Sequence, residues 1–352
     1  MASASRSKPP TLTDVAQAAG VSVPTASRVL NGGVRGVESG SDQLRKRVKE
    51  AARTLGYSVS TAAQTTKDGR ARSVALIVSE IDDYGSATVI SGMIHAAEVR
   101  GMSVAVKATR DDASRELDLL RQFRGERHRA VVVATSRTVN PSHEAAVQEE
   151  LRILEQHGTR VVIIGDNGFK LPTVTVGNAL AAAQLADGLV RQGRRRFAII
   201  SGPVDQVTSR DRVEGFVSGL RAHGVEVPES WIVHSEFSRD GGLRATRSLG
   251  DIVKQVDVIA AMSDTMAVGA IAFLRRAGMR VPEDVDVSGF DHVPLLGDLL
   301  PEFSTVEVPL ARFGEAALIL ALEGQSDSRI VKLSATTIVR GKTYFPAAVA
   351  GG

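Results

Sequence analysis

The sequence comprises 352 residues, of which 43% are hydrophobic and 24% are charged, a composition typical of a globular protein with two or more cores. It contains no cysteine, which excludes disulfide bridges and thiolate metal sites. Residues 1–10 lack the apolar stretch of a secretory signal, and no later run reaches transmembrane length, so we expect a cytoplasmic protein.

The charge is unevenly distributed along the chain. Residues 1–72 contain 12 lysines and arginines against 5 acidic residues, a net charge of +7. Since the whole chain has a net charge of +3, residues 73–352 have a net charge of −4. A basic N-terminal segment followed by an acidic remainder is typical of a phosphate-binding domain joined to a domain that does not bind phosphate. A solvated basic tail would have the same composition.

Residues 11–31 have the pattern of two short helices separated by a tight turn. Thr11 can cap the first helix, and Asp14, three residues later, can complete a capping box. Gly20 is at the position of a helix C-cap with left-handed backbone conformation, and Ser22 can cap the start of the second helix. The second helix is expected to bury Ala26, Val29 and Leu30 and to expose Thr25, Ser27, Arg28 and Asn31.

This stretch, TLTDVAQAAGVSVPTASRVLN, closely resembles the DNA-binding headpiece of the LacI/GalR family of bacterial transcription regulators. An ordinary helical hairpin is the alternative for such a pattern. The resemblance implies an all-α, helix-turn-helix headpiece whose second helix enters the major groove of operator DNA. The DNA-binding residues that it implies are Thr11, Ser22, Val23, Pro24, Thr25, Ser27, Arg28, Asn31, Tyr57, Ala63, Gln64 and Thr66.

A glycine-rich loop and a third helix complete the predicted headpiece, which spans residues 11–59 and follows a disordered tail of residues 1–10. Ser41 can cap this third helix. Its apolar residues at helical spacing are Leu44, Val48, Ala51, Ala52 and Leu55.

Residues 60–72 form the predicted hinge or linker. They are polar and too few to hold a helix alone, and they fall where relatives carry a hinge helix that forms only on DNA. In the family a leucine of that helix wedges between base pairs in the minor groove, whereas this chain has Thr66 at that position. A flexible linker is the alternative.

From residue 73 onward, short apolar runs alternate with helical stretches. The runs that read as buried parallel strands are residues 74–78, 103–106, 130–134, 161–165, 197–202, 231–235, 256–263 and 285–291. They predict an α/β domain of two doubly wound lobes with a cleft between them.

Residues 261–295 and 303–322 resemble the effector-binding domain that these regulators share with periplasmic sugar-binding proteins. The resemblance implies a periplasmic-binding-protein-like effector-binding and dimerisation domain over residues 73–352, in which the chain crosses three times between the lobes. Lobe 1 is then expected at about 73–176 and 306–327, and lobe 2 at about 177–305 and 328–345.

Polar residues follow the carboxyl ends of several predicted strands, where sheets of this kind bind ligands. These residues are Asp83, Tyr84, Asp166, Ser263, Asp264 and Asp291. The resemblance adds Arg212 at the place of the family's pocket arginine and Phe237 at that of a stacking aromatic. Carboxylates and an arginine can pair with neighbouring hydroxyls while an aromatic covers the apolar face of the ring, which indicates a sugar effector. Asp264 and Asp291 could instead cap the helices that follow them.

No catalytic set, metal cluster or cofactor motif stands out among the seven scattered histidines and the other polar residues, so we expect neither an enzyme nor a cofactor. The sequence predicts a homodimeric, nucleoid-associated repressor of carbohydrate-utilisation genes. It would bind a near-palindromic operator and respond to a sugar in the cleft. A receptor for a sugar or nucleoside without regulatory DNA binding is the alternative function, and a nucleobase effector stays open.

Overall fold

The computed structural model of the protein describes residues 10–31, 41–58, 72–323 and 329–344. The chain divides into two compact units, Met1–Arg72 and Ser73–Gly352. The glycine-rich segment of residues 32–40, predicted to be a loop, and most of the predicted hinge lie outside the described residues, and so do Ala63, Gln64 and Thr66. Among the helices that are described, none is both long and apolar enough to cross a membrane.

The N-terminal unit is a three-helix headpiece. Its helices are α1 (Leu12–Ala19), α2 (Val23–Asn31) and α3 (Asp42–Leu55). Val15, Ala26 and Val48, one from each helix, are fully buried and form the centre of a small apolar core. The predicted capping box of Thr11 is confirmed, and so is the cap of Ser41 on α3. Leu55 differs from expectation because it ends α3 and stays 39% exposed.

The first lobe of the second unit is built on a six-stranded parallel sheet. In chain order its strands are β1 (Ser73–Val78), β2 (Ser103–Ala108), β3 (Ala130–Ala134), β4 (Arg160–Ile164), β5 (Thr173–Thr175) and β11 (Ile330–Lys332). Their order across the sheet is β11-β5-β4-β3-β1-β2. Most residues of β1, β3 and β4 are buried, as expected for strands covered by helices on both faces. The covering helices are α4 (Tyr84–Glu98), α5 (Ala113–Glu126), α6 (Pro141–Gln156) and α12 (Leu310–Glu323).

The second lobe repeats this plan on a four-stranded parallel sheet of order β7-β6-β8-β9. The strands are β6 (Phe197–Ser201), β7 (Ile232–His234), β8 (Val258–Ala261) and β9 (Asp286–Ser288). Its α-helices are α7 (Asn178–Arg191), α8 (Val207–Arg221), α9 (Arg239–Ser248), α10 (Asp264–Arg276) and α11 (Pro294–Leu299), and short 3-10 helices cover Glu229–Trp231 and Gly250–Lys254. A small antiparallel sheet of β10 (Thr305–Glu307), β12 (Thr336–Val339) and β13 (Lys342–Tyr344) completes the described chain.

The chain passes between the lobes three times, after β5, after β10 and after β11. The third passage follows Lys332, a few residues later than the boundary near residue 328 expected from the sequence. The reason is that β11 pairs in parallel with β5, with Ile330 opposite Thr173, and so extends the first-lobe sheet. These passages place the carboxyl ends of both sheets on either side of one cleft.

Candidate functional site

A cavity of about 210 Å³ lies in the cleft, between the strand ends of the first lobe and α7, α8 and the loops of the second lobe. Six of the residues predicted to bind an effector line it: Asp83, Asp166, Arg212, Phe237, Ser263 and Asp291. The first two come from the first lobe and the other four from the second lobe. A ligand in this cavity would therefore contact both lobes at once.

Arg212 is the most constrained of these side chains. It is only 8% exposed, and its guanidinium donates from Nε to Asn178 Oδ1 at 2.9 Å, from Nη1 to the Met262 carbonyl at 2.7 Å and from Nη2 to Asp291 Oδ1 at 3.0 Å. Its Cζ lies 3.9 Å from the centre of the Phe290 ring. A guanidinium has five N–H groups, so two remain to donate to a ligand from a fixed position.

Asp291 is the acidic partner of Arg212 and follows β9 with a left-handed backbone, φ 109°. Burial raises the pKa of its carboxyl to about 7, against the positive charge of Arg212 and with a smaller contribution from the negative charge of Asp264. Near neutral pH the carboxyl of Asp291 can therefore be either ionised or protonated. The ionised form accepts a hydrogen bond from a ligand hydroxyl, and the protonated form can donate one.

The two first-lobe carboxylates are already oriented by local hydrogen bonds. Asp83 caps α4 by accepting from Ser86 N at 3.1 Å, and Asp166 accepts from Thr175 Oγ1 at 2.5 Å. Each of these hydrogen bonds uses only one of the two carboxylate oxygens. The other oxygen, and the second lone pair of the first, can accept hydrogen bonds from a ligand.

The structure does not place Tyr84 or Asp264 in the wall of this cavity. Tyr84 is the first residue of α4, directly behind its cap. Asp264 is completely buried and accepts from Val293 N at 2.6 Å and Thr305 Oγ1 at 2.7 Å, and burial raises its pKa. The cap of α10 is Ser263, whose Oγ accepts from Met266 N, so Asp264 is neither that cap nor a lining residue. It fixes the loop that carries Asp291.

The sequence reasoning missed several residues that line the cavity: Asn178, Ser136, Arg137, Gln206 and Thr208. Ser136 and Arg137 come shortly after β3, so the rule that identified Asp83 and Asp166 could have found them. Asn178 begins a helix and is recognisable only through its contact with Arg212.

The lobes also contact each other beside the cavity. Ser136 Oγ lies 2.9 Å from Thr208 Oγ1. The backbone nearby forms an antiparallel bridge between Thr138 and Gln206, and the Val207 amide donates to the Arg137 carbonyl at 2.8 Å. These bonds hold the two lobes in one relative position.

In the headpiece, the exposed part of α2 presents Val23, Pro24 and Arg28. Arg28 Nε lies 3.4 Å from the Pro24 carbonyl, a long intrahelical hydrogen bond that a stronger partner could replace. Ser22 accepts from the Thr25 amide, so it caps α2, and Tyr57 is half-buried against the core.

Ser27 was expected on the exposed face of α2, but it is only 7% exposed. It follows the fully buried Ala26 and lies one helical turn before Leu30, which packs against the headpiece core, so it stands beside the apolar face of α2. The side chain of Asn31 lies outside the described residues.

Comparison with known proteins agrees with both units. Residues 11–60 match the sequence profile of bacterial regulatory proteins of the lacI family, and residues 186–343 match that of the periplasmic binding protein-like domain.

Two regulators resemble nearly the whole chain. It is 31% identical over 314 residues to the HTH-type transcriptional regulator CelR of Thermobifida fusca, and the matched region covers 88% of this chain and 90% of that protein. It is 28% identical over 343 residues to the HTH-type transcriptional repressor CytR of Escherichia coli strain K12, over 95% and 96% of the two chains. A solved complex of the transcriptional regulator CelR with cellobiose superposes with a TM-score of 0.68 at 28% identity, over 95% and 99% of the two chains. The chain belongs to the lacI family of bacterial regulatory proteins.

Proposed function

We propose that this protein is a homodimeric transcriptional repressor of carbohydrate-utilisation genes, which binds a near-palindromic operator and is controlled by a sugar in the cleft. The observation that carries the proposal is the combination of a helix-turn-helix headpiece with a cleft that holds Arg212 rigidly opposite carboxylates of the other lobe. Operator DNA is the partner of the headpiece and the sugar is the partner of the cleft. Such a repressor acts in the cytoplasm, at the nucleoid.

The headpiece supports DNA binding through α2. Its exposed residues include Val23, an apolar group suited to a thymine methyl, and Arg28, a donor suited to guanine or phosphate. We assign the operator contacts to Thr11, Ser22, Val23, Pro24, Thr25 and Arg28, and to Tyr57 near the end of the headpiece.

One headpiece makes few contacts, so two should act together on one operator. The second lobe offers an apolar surface for pairing, with Val268 on α10 and Leu295 and Leu299 on α11 exposed by 38%, 64% and 69%. The starts of these helices are joined by the hydrogen bond from Val293 N to Asp264. Burying this surface against a second copy, related by a two-fold axis, would bring two headpieces to the two half-sites of an operator.

The cleft supports a sugar because its polar groups are fixed and numerous while one aromatic ring lies beside them. Arg212 can donate to, and Asp83, Asp166 and Asp291 can accept from, adjacent hydroxyls of one ring. Phe237, whose ring centre is 6.0 Å from the Arg212 guanidinium, can cover the apolar face of that ring. A sugar that favours one relative position of the lobes would alter operator affinity by a reciprocal coupling.

The test uses the full chain. Operators are selected from random duplexes, and fluorescence anisotropy then measures the affinity for the selected sequence and for a scrambled one. Thermal shift against a panel of sugars and nucleosides identifies ligands, and each hit is added to the operator titration. We expect a near-palindromic consensus and a sugar that changes operator affinity at least several-fold. Equal affinity for selected and scrambled DNA would reject the repressor, and a response to nucleosides alone would reject the sugar.

A further inference from the structure

The two edges of the first-lobe sheet differ in charge. Carboxylates follow the carboxyl ends of β1 and β2, and they are Glu80, Asp82, Asp83, Asp111 and Asp112. Arginines lie at the opposite edge, where the strands begin, and they are Arg100 before β2, Arg127 and Arg129 before β3, and Arg160 at the start of β4. Since residues 73–352 have a net charge of −4, these four arginines form a basic surface on an acidic unit.

The strand pairing brings the four arginines to one edge. In the parallel sheet, Ser73 of β1 lies opposite Ser103 of β2, and Ala130 of β3 lies opposite Arg160 of β4. Because neighbouring parallel strands run in the same direction, the residues that precede them lie side by side. We call the surface of Arg100, Arg127, Arg129 and Arg160 the basic edge.

Two of these arginines contact the ends of helices. Arg100 donates to the Ala96 carbonyl of α4 at 2.9 Å, and Arg160 donates to the carbonyls of Ala321 and Leu322 of α12 at 3.3 and 3.1 Å. Helix carbonyls carry only partial negative charge, so these bonds orient the guanidinium groups without neutralising them. Both side chains stay exposed.

The other two arginines are held by less. Within the part of the chain that the structure describes, the side chains of Arg127 and Arg129 form neither a hydrogen bond nor an ion pair, and Arg127 is exposed. Arg127 ends α5 with a left-handed backbone, φ 53°, which is a conformation that glycine adopts most easily. Both guanidinium groups are therefore available to an anion from outside the chain.

The carboxylates near the basic edge do not balance it. Glu126 already pairs with Lys107 at 2.7 Å, and Glu323 pairs with Arg329 at 3.2 Å. Of the carboxylates described at this edge, Glu98 and Glu155 remain beside the four arginines, which leaves an excess of two positive charges.

The course of the chain indicates which anion meets this edge. β1 begins at Ser73, directly after the predicted hinge of residues 60–72, so the second unit is tethered to the DNA-binding headpiece at this edge. Residues 1–72 have a net charge of +7, and like charges disfavour the headpiece itself as the occupant. A duplex held by the headpiece is a polyanion on the same tether, which makes a second contact with it intramolecular.

We propose that the basic edge is a second DNA-binding surface, at which Arg127 and Arg129 bind backbone phosphates of the duplex that the headpiece holds. Arg100 and Arg160 add positive charge beside them. Contacts with phosphates raise affinity without reading the bases, so this surface strengthens binding and leaves the consensus sequence unchanged. The inference rests on the proposed function, since it concerns the same operator, but it adds the effector-binding unit to the DNA interface.

The test measures operator binding by the full chain with fluorescence anisotropy at several salt concentrations. The duplex is the selected operator, flanked on each side by about two helical turns of unrelated sequence. Arg127→Gly combined with Arg129→Gln removes two positive charges from each subunit. We expect this variant to bind at least about fivefold more weakly at roughly 0.1 M salt, with a slope of log affinity against log salt that is shallower by about one or more.

Two further variants separate a phosphate contact from a general effect of charge. Arg127→Lys combined with Arg129→Lys keeps both charges and should bind as the wild type does. Arg247→Gln combined with Arg312→Gln is the matched control, because it removes the same charge from two exposed arginines that have no carboxylate partner among the described residues. Arg247 lies on α9 of the second lobe, and Arg312 lies at the end of α12 that is remote from Arg160. The control should leave affinity and slope unchanged.

Thermal unfolding separates binding from folding. Glycine is favoured at the left-handed position of Arg127, so the Tm of Arg127→Gly without DNA should not fall. A lower Tm together with weaker binding that the lysine variant does not restore would assign the arginines to the fold and overturn the inference.

Other outcomes also overturn it: wild-type affinity and slope in the variant of Arg127 and Arg129, or an equal loss in the control variant. If the wild type binds the selected operator and these variants bind it equally well, the inference fails and the proposed function stands. If the wild type prefers no sequence, the proposed function fails by its own test. The salt slopes of the same variants on unselected DNA then decide whether the basic edge binds phosphates, and equal slopes would reject it.

Discussion

Arg212 and Asp291 form an ion pair of 3.0 Å that joins α8 to the loop after β9. The pair is largely withdrawn from water, with side chains only 10% and 17% exposed, and the arginine is also held by Asn178 and the Met262 carbonyl. The aspartate, in contrast, contributes a carboxylate whose charge is costly to bury. The charge of Asp291 therefore destabilises the empty cleft, although the same carboxylate helps to orient Arg212.

Asp291→Asn should stabilise the ligand-free protein at pH 8 and have little effect near pH 4. The folded pKa of Asp291 is raised from 3.8 to about 7, so the folded state binds a proton more tightly than the unfolded state. Its contribution to stability is complete below about pH 4, declines as the pH rises towards 7 and remains low above that. At about 1.4 kcal/mol per pKa unit, the gain at pH 8 should be about 2–4 kcal/mol. Urea unfolding at both pH values measures it.

Asp284→Asn serves as the contrasting control. Arg280 holds the pKa of the Asp284 carboxyl below its ordinary value through side-chain and backbone hydrogen bonds, so this charge stabilises the fold above the unfolded pKa. Its removal should not stabilise the protein at pH 8. A gain from Asp291→Asn that is the same at pH 4 and pH 8 would show that the charge of Asp291 is not its cause.

Gly202→Ala should weaken effector binding by displacing Phe237. A Cβ at position 202 would lie 2.2 Å from Cε2 of the Phe237 ring, far inside contact distance, so the ring has to move. Calorimetry with the identified effector should show a loss of several-fold or more. Gly125→Ala is the matched control, because a Cβ there meets nothing within 4 Å and the added methyl favours α5. Wild-type affinity in Gly202→Ala would mean that the ring does not touch the ligand.

The strands and much of the cleft could be predicted because their signals are local. The apolar runs at 130–134 and 161–165 correspond to β3 and β4, and Asp83 and Asp166 were found because they follow strand ends. The partners of Arg212 could not be found in this way. Asn178 precedes Arg212 by 34 residues and meets it only because α7 and α8 pack together.

Two further features of the structure were not predicted from the sequence, an ion pair in the first lobe and the burial of a serine in the headpiece. The pairing of Glu116 with Arg137 joins residues 21 positions apart, on a helix and on a loop after a strand, and neither residue is unusual in sequence. Helical spacing predicted Ser27 on the exposed face of α2, yet its side chain is only 7% exposed. Neither residue type nor helical spacing alone reveals the burial of a small polar side chain.

Arg28→Ala should weaken operator binding by about 1–3 kcal/mol, the usual cost of losing an arginine contact to a guanine or a phosphate. The side chain is exposed on α2 and holds only a long hydrogen bond to Pro24, so it is free to turn to DNA. Fluorescence anisotropy at several salt concentrations distinguishes a contact of Arg28 with a phosphate from a contact with a guanine. Loss of a phosphate contact in the variant makes the slope of log affinity against log salt shallower by about one, whereas loss of a guanine contact lowers the specificity for the selected operator. Arg152→Ala, on the surface of the first lobe, should leave operator affinity unchanged.

The contact between Ser136 and Thr208 should contribute measurable coupling between the lobes. Their hydroxyl oxygens are 2.9 Å apart, and Ser136 Oγ also lies 3.3 Å from the Thr208 amide. Ser136→Ala and Thr208→Val each remove one hydroxyl, so the double variant should lose less stability than the sum of the single variants. The difference should be about 0.5–1.5 kcal/mol, the net value of an ordinary hydrogen bond.

Urea unfolding of the ligand-free wild type, both single variants and the double variant measures this coupling. Ser136→Ala combined with Ser248→Ala is the control, because Ser248 is exposed on α9 and bonds only within its own helix, to the Arg244 carbonyl. That pair should be additive. If the Ser136 and Thr208 variants are additive as well, the hydroxyl contact does not hold the lobes together. The backbone bonds between residues 137–139 and 205–207 would then have to hold them in place.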